Sequence, residues 1–280
     1  MQIREVSETS RVFSASRAIL RGVTTFAPRE NLRASLRPLL DERSPADALA
    51  CYYAFQHPDN RIELFVHSDE ARAGRADGFL VRARTGLDLF RPLVTFRAQT
   101  EDAARALFRD GLPAGRPVYL TVPVELAGWV NIYLTLTEVE LHRIYRLDPR
   151  RYQPEINVLV LTSSGADGTP RCEIRSGDKA GAVAGVNWQS PGFAEVYVYT
   201  DPAVRGRGWG RSVVSAVGGM LLKSGRVPLY VVGESNDASI RIAEAVGFED
   251  TGLREYVGQA VRTSDGQPMA DGMVSPTSNF

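Results

Sequence analysis

The stretch Val196–Arg211, VYVYTDPAVRGRGWGR, decides the fold. Val196, Val198 and Thr200 alternate, which turns one face of a strand into a core. Pro202 ends the pairing. Gly206, Gly208 and Gly210 then alternate with Arg205, Arg207, Trp209 and Arg211, just ahead of an apolar helical run. Glycine lets an anion approach the backbone closely and adopts positive φ without a steric penalty. The helix that follows aims its unpaired N–H groups and the positive end of its dipole at the same place. Strand, glycine-rich turn and helix N-terminus together make a phosphate cradle.

The wording of the turn narrows whose phosphate it holds. A nucleotide-binding P-loop needs Gly-Lys-Ser/Thr, whereas Gly210 is followed by Arg211-Ser212. A dinucleotide fingerprint needs a third glycine where Arg211 stands, and an acidic residue some 20 positions on. The next strand instead continues into Val231-Val232-Gly233. Glycines that serve only close packing account for Gly218-Gly219 inside the helix, but not for three glycines in strict alternation among arginines.

The rest of the chain sets bounds. Its 280 residues suffice for two ordinary domains or one large one. With 44% hydrophobic and 24% charged residues it reads as a soluble globular protein. A formal net charge of zero argues against a nucleic-acid or polyanion binder. Only Lys179 and Lys223 are lysines, a bias toward arginine that reads as coding preference. No apolar run approaches the roughly 20 residues of a membrane span, and MQIREVSETSRVF lacks the apolar core of a signal peptide. Cys51 and Cys172 are too isolated for a disulfide framework or a metal site, and His57, His67 and His142 have no ligand spacing. A reduced, cytoplasmic, metal-free protein is expected; a homodimer is left open.

Along the chain, Ser44-Pro45 predicts a helix start, and the helix runs to Gln56. Strands are expected at 61–67, 79–84 and 87–97, with an exposed turn at 68–77. A helix at 100–109, a strand at 118–122, a short helix at 124–133 and a strand at 138–147 follow. The Pro-Arg-Arg-Tyr-Gln-Pro run at 149–154 marks a boundary. Beyond it the pattern predicts strands at 156–162, 171–175, 182–189 and 195–200, then a helix at 207–223 that stops at Ser224-Gly225. A strand at 228–232, a helix at 237–246 and a closing strand at 251–262 complete the pattern. Residues 263–280 read as a polar tail. The domains are thus 1–150, 151–262 and the tail; the two halves repeat a similar order of elements, but only the second has the glycine turn.

Two ordered motifs carry a resemblance. The run Thr200-x-Pro202-x-x-Arg205-Gly206-x-Gly208-x-Gly210 resembles the acyl-CoA signature of the GNAT superfamily of N-acetyltransferases. Downstream, strand 228–232, then Asn236-Asp237-Ala238-Ser239, then Gly247-Phe248, resembles that family's second segment. The resemblance covers about 155–262. It implies an α/β (α+β) fold, a mixed and mostly antiparallel sheet flanked by helices, with 1–150 a degenerate copy in tandem. It also implies acetyl-CoA as co-substrate, with Val198, Tyr199 and Thr200 bonding the pantetheine arm and residues 205–211 (Arg205, Gly206, Arg207, Gly208, Trp209, Gly210, Arg211) holding the pyrophosphate. Asn236 either bonds that arm or caps the next helix.

The implied reaction is direct transfer of the acyl group to the amine of a small-molecule acceptor. Such an amine, with pKa near ~10, must first lose a proton. Glu195, at the start of the central strand where relatives place their base, is the expected acceptor of that proton. The chain departs from the family at Ala243, where many members carry a tyrosine acting as general acid. Ser239 and Tyr256 are the stand-ins the sequence offers. A CoA-binding regulatory module without turnover is the alternative.

Overall fold

The structure, a computed structural model, describes residues 22–24, 29–69, 75–86, 88–154, 157–165 and 168–263. The start of the chain and the polar tail from residue 264 lie outside them. The first half contributes β1 (Gly22–Thr24), α1 (Arg29–Leu36), α2 (Ala48–Cys51), β2 (Ile62–Asp69), β3 (Arg75–Ala83), β4 (Leu93–Ala98), α3 (Glu101–Gly111), β5 (Pro117–Pro123), α4 (Ala127–Tyr133) and β6 (Thr135–Leu147). The second contributes β7 (Leu161–Ser164), β8 (Pro170–Ser176), β9 (Lys179–Gln189), β10 (Phe193–Thr200), α5 (Trp209–Lys223), β11 (Val227–Gly233), α6 (Asp237–Val246) and β12 (Phe248–Val261).

Local chemistry accounts for the helix boundaries. Thr100 caps α3 by accepting from the Ala103 N–H, with Glu101 and Asp102 in the first turn and Arg109 in the last. Asn236 caps α6 through Ser239 N–H at 3.1 Å. Gly247 ends α6 at φ 107°, so close to Arg151 that a Cβ would meet its carbonyl oxygen at 2.9 Å.

Three expected elements are shorter than their patterns. The strand expected at 87–97 begins only at Leu93, because Asp88 accepts from the N–H groups of Phe90 and Arg91 and folds the chain into a turn. The strand expected at 156–162 is confined to Leu161–Ser164, an exposed edge strand. The helix expected from Ser44 starts at Ala48: Ser44 closes a local turn on Ala46 N–H, and the Asp47 carboxylate is drawn away to Asp41 N–H and Arg97. It then widens into a π-helical turn at Tyr52–Gln56. Helix α1 has no counterpart in the sequence reading.

Among the described residues, twelve strands form one sheet in the order β1-β2-β3-β4-β5-β12-β6-β11-β10-β9-β8-β7. Renumbering each strand by its counterpart in the other half simply reverses this order. The sheet therefore has a pseudo-twofold axis between β12 and β6. Each half lends its last strand to the other: β6 lies between β11 and β12, and β12 lies between β5 and β6. The one parallel pair of each half, β4–β5 and β10–β11, sits at equivalent positions.

Four apolar clusters fill the layers. Helices α5 and α6 cover one around Val213, Val217, Leu221, Tyr230 and Phe248. Helix α3 covers another, built on Phe96, Leu107, Phe108 and Leu120, while α1 and α2 close a third over Phe79 and Val81. A fourth joins Ala48 of α2 to Ile144, Trp188, Phe193 and Leu229, so the first half's helix packs directly on the second half's sheet.

The exchange has a consequence for fragments. A piece beginning at residue 150 lacks β6 and leaves β11 and β12 with open edges, which in water favours aggregation. A piece beginning at residue 134 retains that strand. The longer piece is expected to give a cooperative thermal transition by circular dichroism and the shorter one none; a cooperative transition in the shorter piece would contradict the interleaved architecture.

Candidate active site

Strands β10 and β11 pair only at Phe193–Glu195 with Val227–Leu229. From Val196 to Thr200, β10 keeps partners on β9 alone. In an antiparallel ladder alternate N–H and C=O groups point away from the partner, so this run presents main-chain donors and acceptors to the gap. The gap widens into a cleft of about 890 Å³, within the usual range for small-molecule sites. Val198, Tyr199, Thr200, Arg205 to Arg211, Asn236 and Ser239 all line it.

The turn has the geometry its glycines suggest. Gly206 and Gly208 stand at φ 79° and 75° with open space where a Cβ would be, so backbone conformation is what selects glycine there. At Gly210 the reason is contact: a Cβ would meet Thr200 Oγ1 at 2.9 Å and Ile242 Cδ1 at 3.0 Å. Helix α5 starts on Gly208 with no side chain capping it. Arg205 and Arg207 are exposed at the rim, and the Arg207 guanidinium lies 5.5 Å over the Trp209 ring. In the first half, β4 and β5 diverge in the same way after Val94 and Leu120. There, α3 opens on a capping threonine and two acidic residues, which repel an anion.

Sequence reasoning missed Arg241. It lines the cleft with Ala238, Ile242 and Ala245, a set spaced one helical turn apart that a helical projection of 237–246 brings onto one face. Asn157 also lines the cleft from the loop ahead of β7.

Glu195 lies at the inner end of the gap. Its two carboxylate oxygens accept from Asn187 Nδ2 and Trp188 Nε1, each at 2.6 Å. A β-bulge sets this up: Glu195 pairs with Trp188 and Val196 with Val186, so Asn187 is the extra residue and its amide turns toward the carboxylate. Burial pushes the Glu195 carboxyl above the usual glutamate range, against the opposing pull of these two hydrogen bonds and of His142.

The other two expected catalytic residues fare differently. Ser239 lines the cleft. Tyr256 does not line it. It sits on β12, where its hydroxyl donates to Asn131 Oδ1 of α4 at 3.0 Å; alternation along the strand aims it at the helix layer of the first half. Ala243 is fully buried in the core beneath α6. Asn236 takes the second of its two expected roles, capping α6 through Oδ1, and it also lines the cleft.

A second carboxyl near Glu195 escaped the sequence reading. Glu255 of β12 is only 8% exposed, and its carboxyl is pushed up to about 8, chiefly by burial and then by the Glu195 charge, against the pull of Arg97. The only trace in the sequence is a glutamate in step with Leu253 and Val257 along an apolar strand face. Among the described residues, no group of three or more His, Cys, Asp or Glu side chains could hold a metal ion, and no helix is long and apolar enough to cross a membrane.

Residues 174–257 match the family model described as FR47-like protein. The chain is 29% identical over 202 residues to a mycothiol acetyltransferase of Clavibacter michiganensis subsp. michiganensis (strain NCPPB 382), a match covering 69% of this chain and 60% of that protein. The chain thus spans less than two thirds of this relative's length. Its fold is similar to a GCN5-related N-acetyltransferase from Sphaerobacter thermophilus (TM-score 0.57, 11% identity, 86% of this chain and 95% of that one). It is also similar to a tandem GNAT protein from the clavulanic acid biosynthesis pathway (TM-score 0.53, 13% identity, 84% and 94%). Residues 174–257 are thus similar to the FR47-like family, and the mixed sheet with its flanking helices has the fold of the GNAT structures.

The raised Glu255 carboxyl makes stability depend on pH. The folded chain holds its proton more tightly than an unfolded glutamate near 4.5, so the associated stability is complete below that value and is lost as pH rises through about 8. The urea midpoint is expected to fall between about pH 5 and about pH 9, and Glu255→Gln to flatten the fall and exceed the parent at the alkaline end. Parallel midpoints for the two proteins across this range would contradict the assignment.

Proposed function

We propose that the protein is an acetyl-CoA-dependent N-acetyltransferase that passes the acyl group directly to an amine of a small acceptor. The observation that carries this reading is the continuous path from the open edge of β10 to the Gly206–Gly210 turn and the uncapped start of α5. A pantetheine arm needs strand-like main-chain partners, and a pyrophosphate needs convergent N–H groups and positive charge. The path offers both in that order, with Arg205, Arg207, Arg211 and Arg241 supplying charge. An acetyltransferase among the relatives supports the acetyl donor.

On this reading a main-chain N–H near Val198 steadies the oxygen of the thioester carbonyl as it gains charge. Glu195 accepts a proton from the acceptor ammonium, directly or through water. The freed amine adds to the carbonyl carbon and gives up its surplus proton, to water or to the departing sulfur, as the C–S bond breaks and its electron pair leaves on sulfur. Position 243 offers no acid, so the thiolate departs unaided or takes a proton from Ser239. The cytoplasm is the compartment proposed, and domains at 1–150 and 151–262 remain the proposed division, with two strands exchanged between them.

The buried Ala243 favours one other reading, a module that binds CoA without turning it over. Calorimetry with acetyl-CoA tests the cradle: Gly208→Glu is expected to weaken binding by about 100-fold while leaving the far-ultraviolet spectrum unchanged. Equal affinity in the folded variant would refute the cradle. Free-thiol release with amine acceptors separates enzyme from module. Glu195→Gln is expected to lower that rate by about 10²-fold or more at neutral pH without changing acetyl-CoA affinity; an undiminished rate would remove Glu195 as the base.

A further inference from the structure

Trp188 links the two halves of the chain at the Glu195 carboxylate. Its Nε1 donates to one carboxylate oxygen at 2.6 Å, and Asn187 Nδ2 donates to the other at the same distance. The two donors are held very differently. Asn187 is an exposed residue of the β-bulge. Trp188 is only 4% exposed and packs in the cluster that Ala48 of α2 shares with Ile144, Phe193 and Leu229. Tyr52, also from the first half, lies along its indole with ring centroids 5.5 Å apart and planes 26° from parallel.

An indole N–H lies in the plane of its ring, and the torsion that turns the ring is soft, so the rotamer alone does not aim the donor. A flat neighbour does. Turning the indole drives its edge into the Tyr52 ring and swings Nε1 out of hydrogen-bond geometry with Glu195. Tyr52 is itself wedged, because Tyr53 and His57 meet its ring edge to face at 4.9 and 5.5 Å. The π-helical turn makes this cluster: the His57 N–H bonds the Tyr52 carbonyl five residues back, at 2.9 Å. Burial lowers the His57 pKa and keeps the ring neutral. Its Nε2 faces the Arg84 carbonyl at 3.1 Å and so donates, which leaves Nδ1 to accept from the Tyr52 hydroxyl, also at 3.1 Å. The hydroxyl is thus engaged away from Glu195, and it is the ring face that bears on Trp188.

We propose that Tyr52 is a positioning residue for the base: its ring fixes the Trp188 indole, and the indole N–H holds Glu195 in one orientation for the proton step. A carboxylate oxygen has two lone-pair directions, so an oxygen that accepts from the indole still has room for the proton of the ammonium. A donor on a carboxylate also favours its charged form, which keeps this buried group available as a base. The half that lacks the glycine turn thereby takes part in the chemistry of the half that has it. The other ionisable groups around Glu195 are His142 of β6, Glu255 of β12 and Tyr53 of the first half, with Arg97 of β4 acting on Glu255. This inference rests on Glu195 being the base of the transferase reading.

The test follows the indole N–H signals of the full, nitrogen-labelled chain by NMR as pH rises, with neither acetyl-CoA nor an acceptor present. Trp188→Phe assigns the Trp188 signal, and Glu195→Gln removes the part of its titration that belongs to Glu195. Tyr52→Leu and Tyr52→Met, either of which suffices if folded, are expected to displace that signal. They are also expected to raise the Glu195 midpoint by about half a pH unit or more, since a lost donor disfavours the carboxylate. Tyr52→Phe keeps the ring and is expected to match the parent. His142, Glu255, Tyr53 and Arg97 are present throughout, so the difference between variants reports the indole. Parental Trp129 and Trp209 signals establish that a variant is folded. An unmoved Trp188 signal and midpoint in a folded Leu or Met variant would overturn the proposal. So would an equal displacement in Tyr52→Phe, or a parent Trp188 signal that Glu195→Gln leaves titrating as before. The expected titrations in a chain that releases no thiol from acetyl-CoA with amines would instead sink the transferase reading and leave the Tyr52–Trp188–Glu195 contact standing.

Discussion

The antiparallel ladder between Thr135–Leu147 and Phe248–Val261 is the interaction on which the rest of the molecule depends. Each strand is flanked on its other edge by a strand from the opposite half: β6 by β11, and β12 by β5. Main-chain hydrogen bonds thus run unbroken across the sheet, and neither half closes without a strand from the other. This fixes their relation far more firmly than side-chain packing between separate domains. It also sets His142 and Glu255 face to face at the axis and brings α2 over the second half's sheet.

Within that sheet the useful feature is a place where pairing stops. A parallel pair that diverges leaves main-chain groups exposed to a gap, which is costly unless water or a ligand satisfies them. Both halves have such a gap, and the turn that follows separates their capacities. In the second half, two glycines at positive φ lead into a helix start that no side chain caps. In the first, Thr100 already occupies the equivalent helix start, with Glu101 and Asp102 beside it. One architecture therefore yields an open, glycine-rich helix start in one half and a capped one in the other.

Much of this was legible in the sequence. The glycine turn, the helix it opens, the cap at Asn236 and the stop at Gly247 are local, because backbone conformation and neighbouring side chains decide them. Arg241 was within reach of a helical projection. The shortened strand after Arg84 was harder to see, since an aspartate turn at Asp88 overrides the apolar pattern of Leu89 and Phe90. Tyr256 was misplaced for a geometric reason. Alternation along β12 sends it to one face of the sheet and Glu255 to the other, and spacing alone does not say which face holds the cleft.

The sequence by itself determined the glycine turn with the helix it opens and most of the order of elements, because each is set by residues within a few positions of one another. Only the tertiary structure decided that β6 and β12 change places, that a bulge turns Asn187 onto Glu195, and that Glu255 faces His142 across the β6–β12 ladder. Those relations are set by hydrogen bonding and burial between different strands, in the β6–β12 ladder between residues about a hundred or more positions apart, and no local pattern encodes such a pairing.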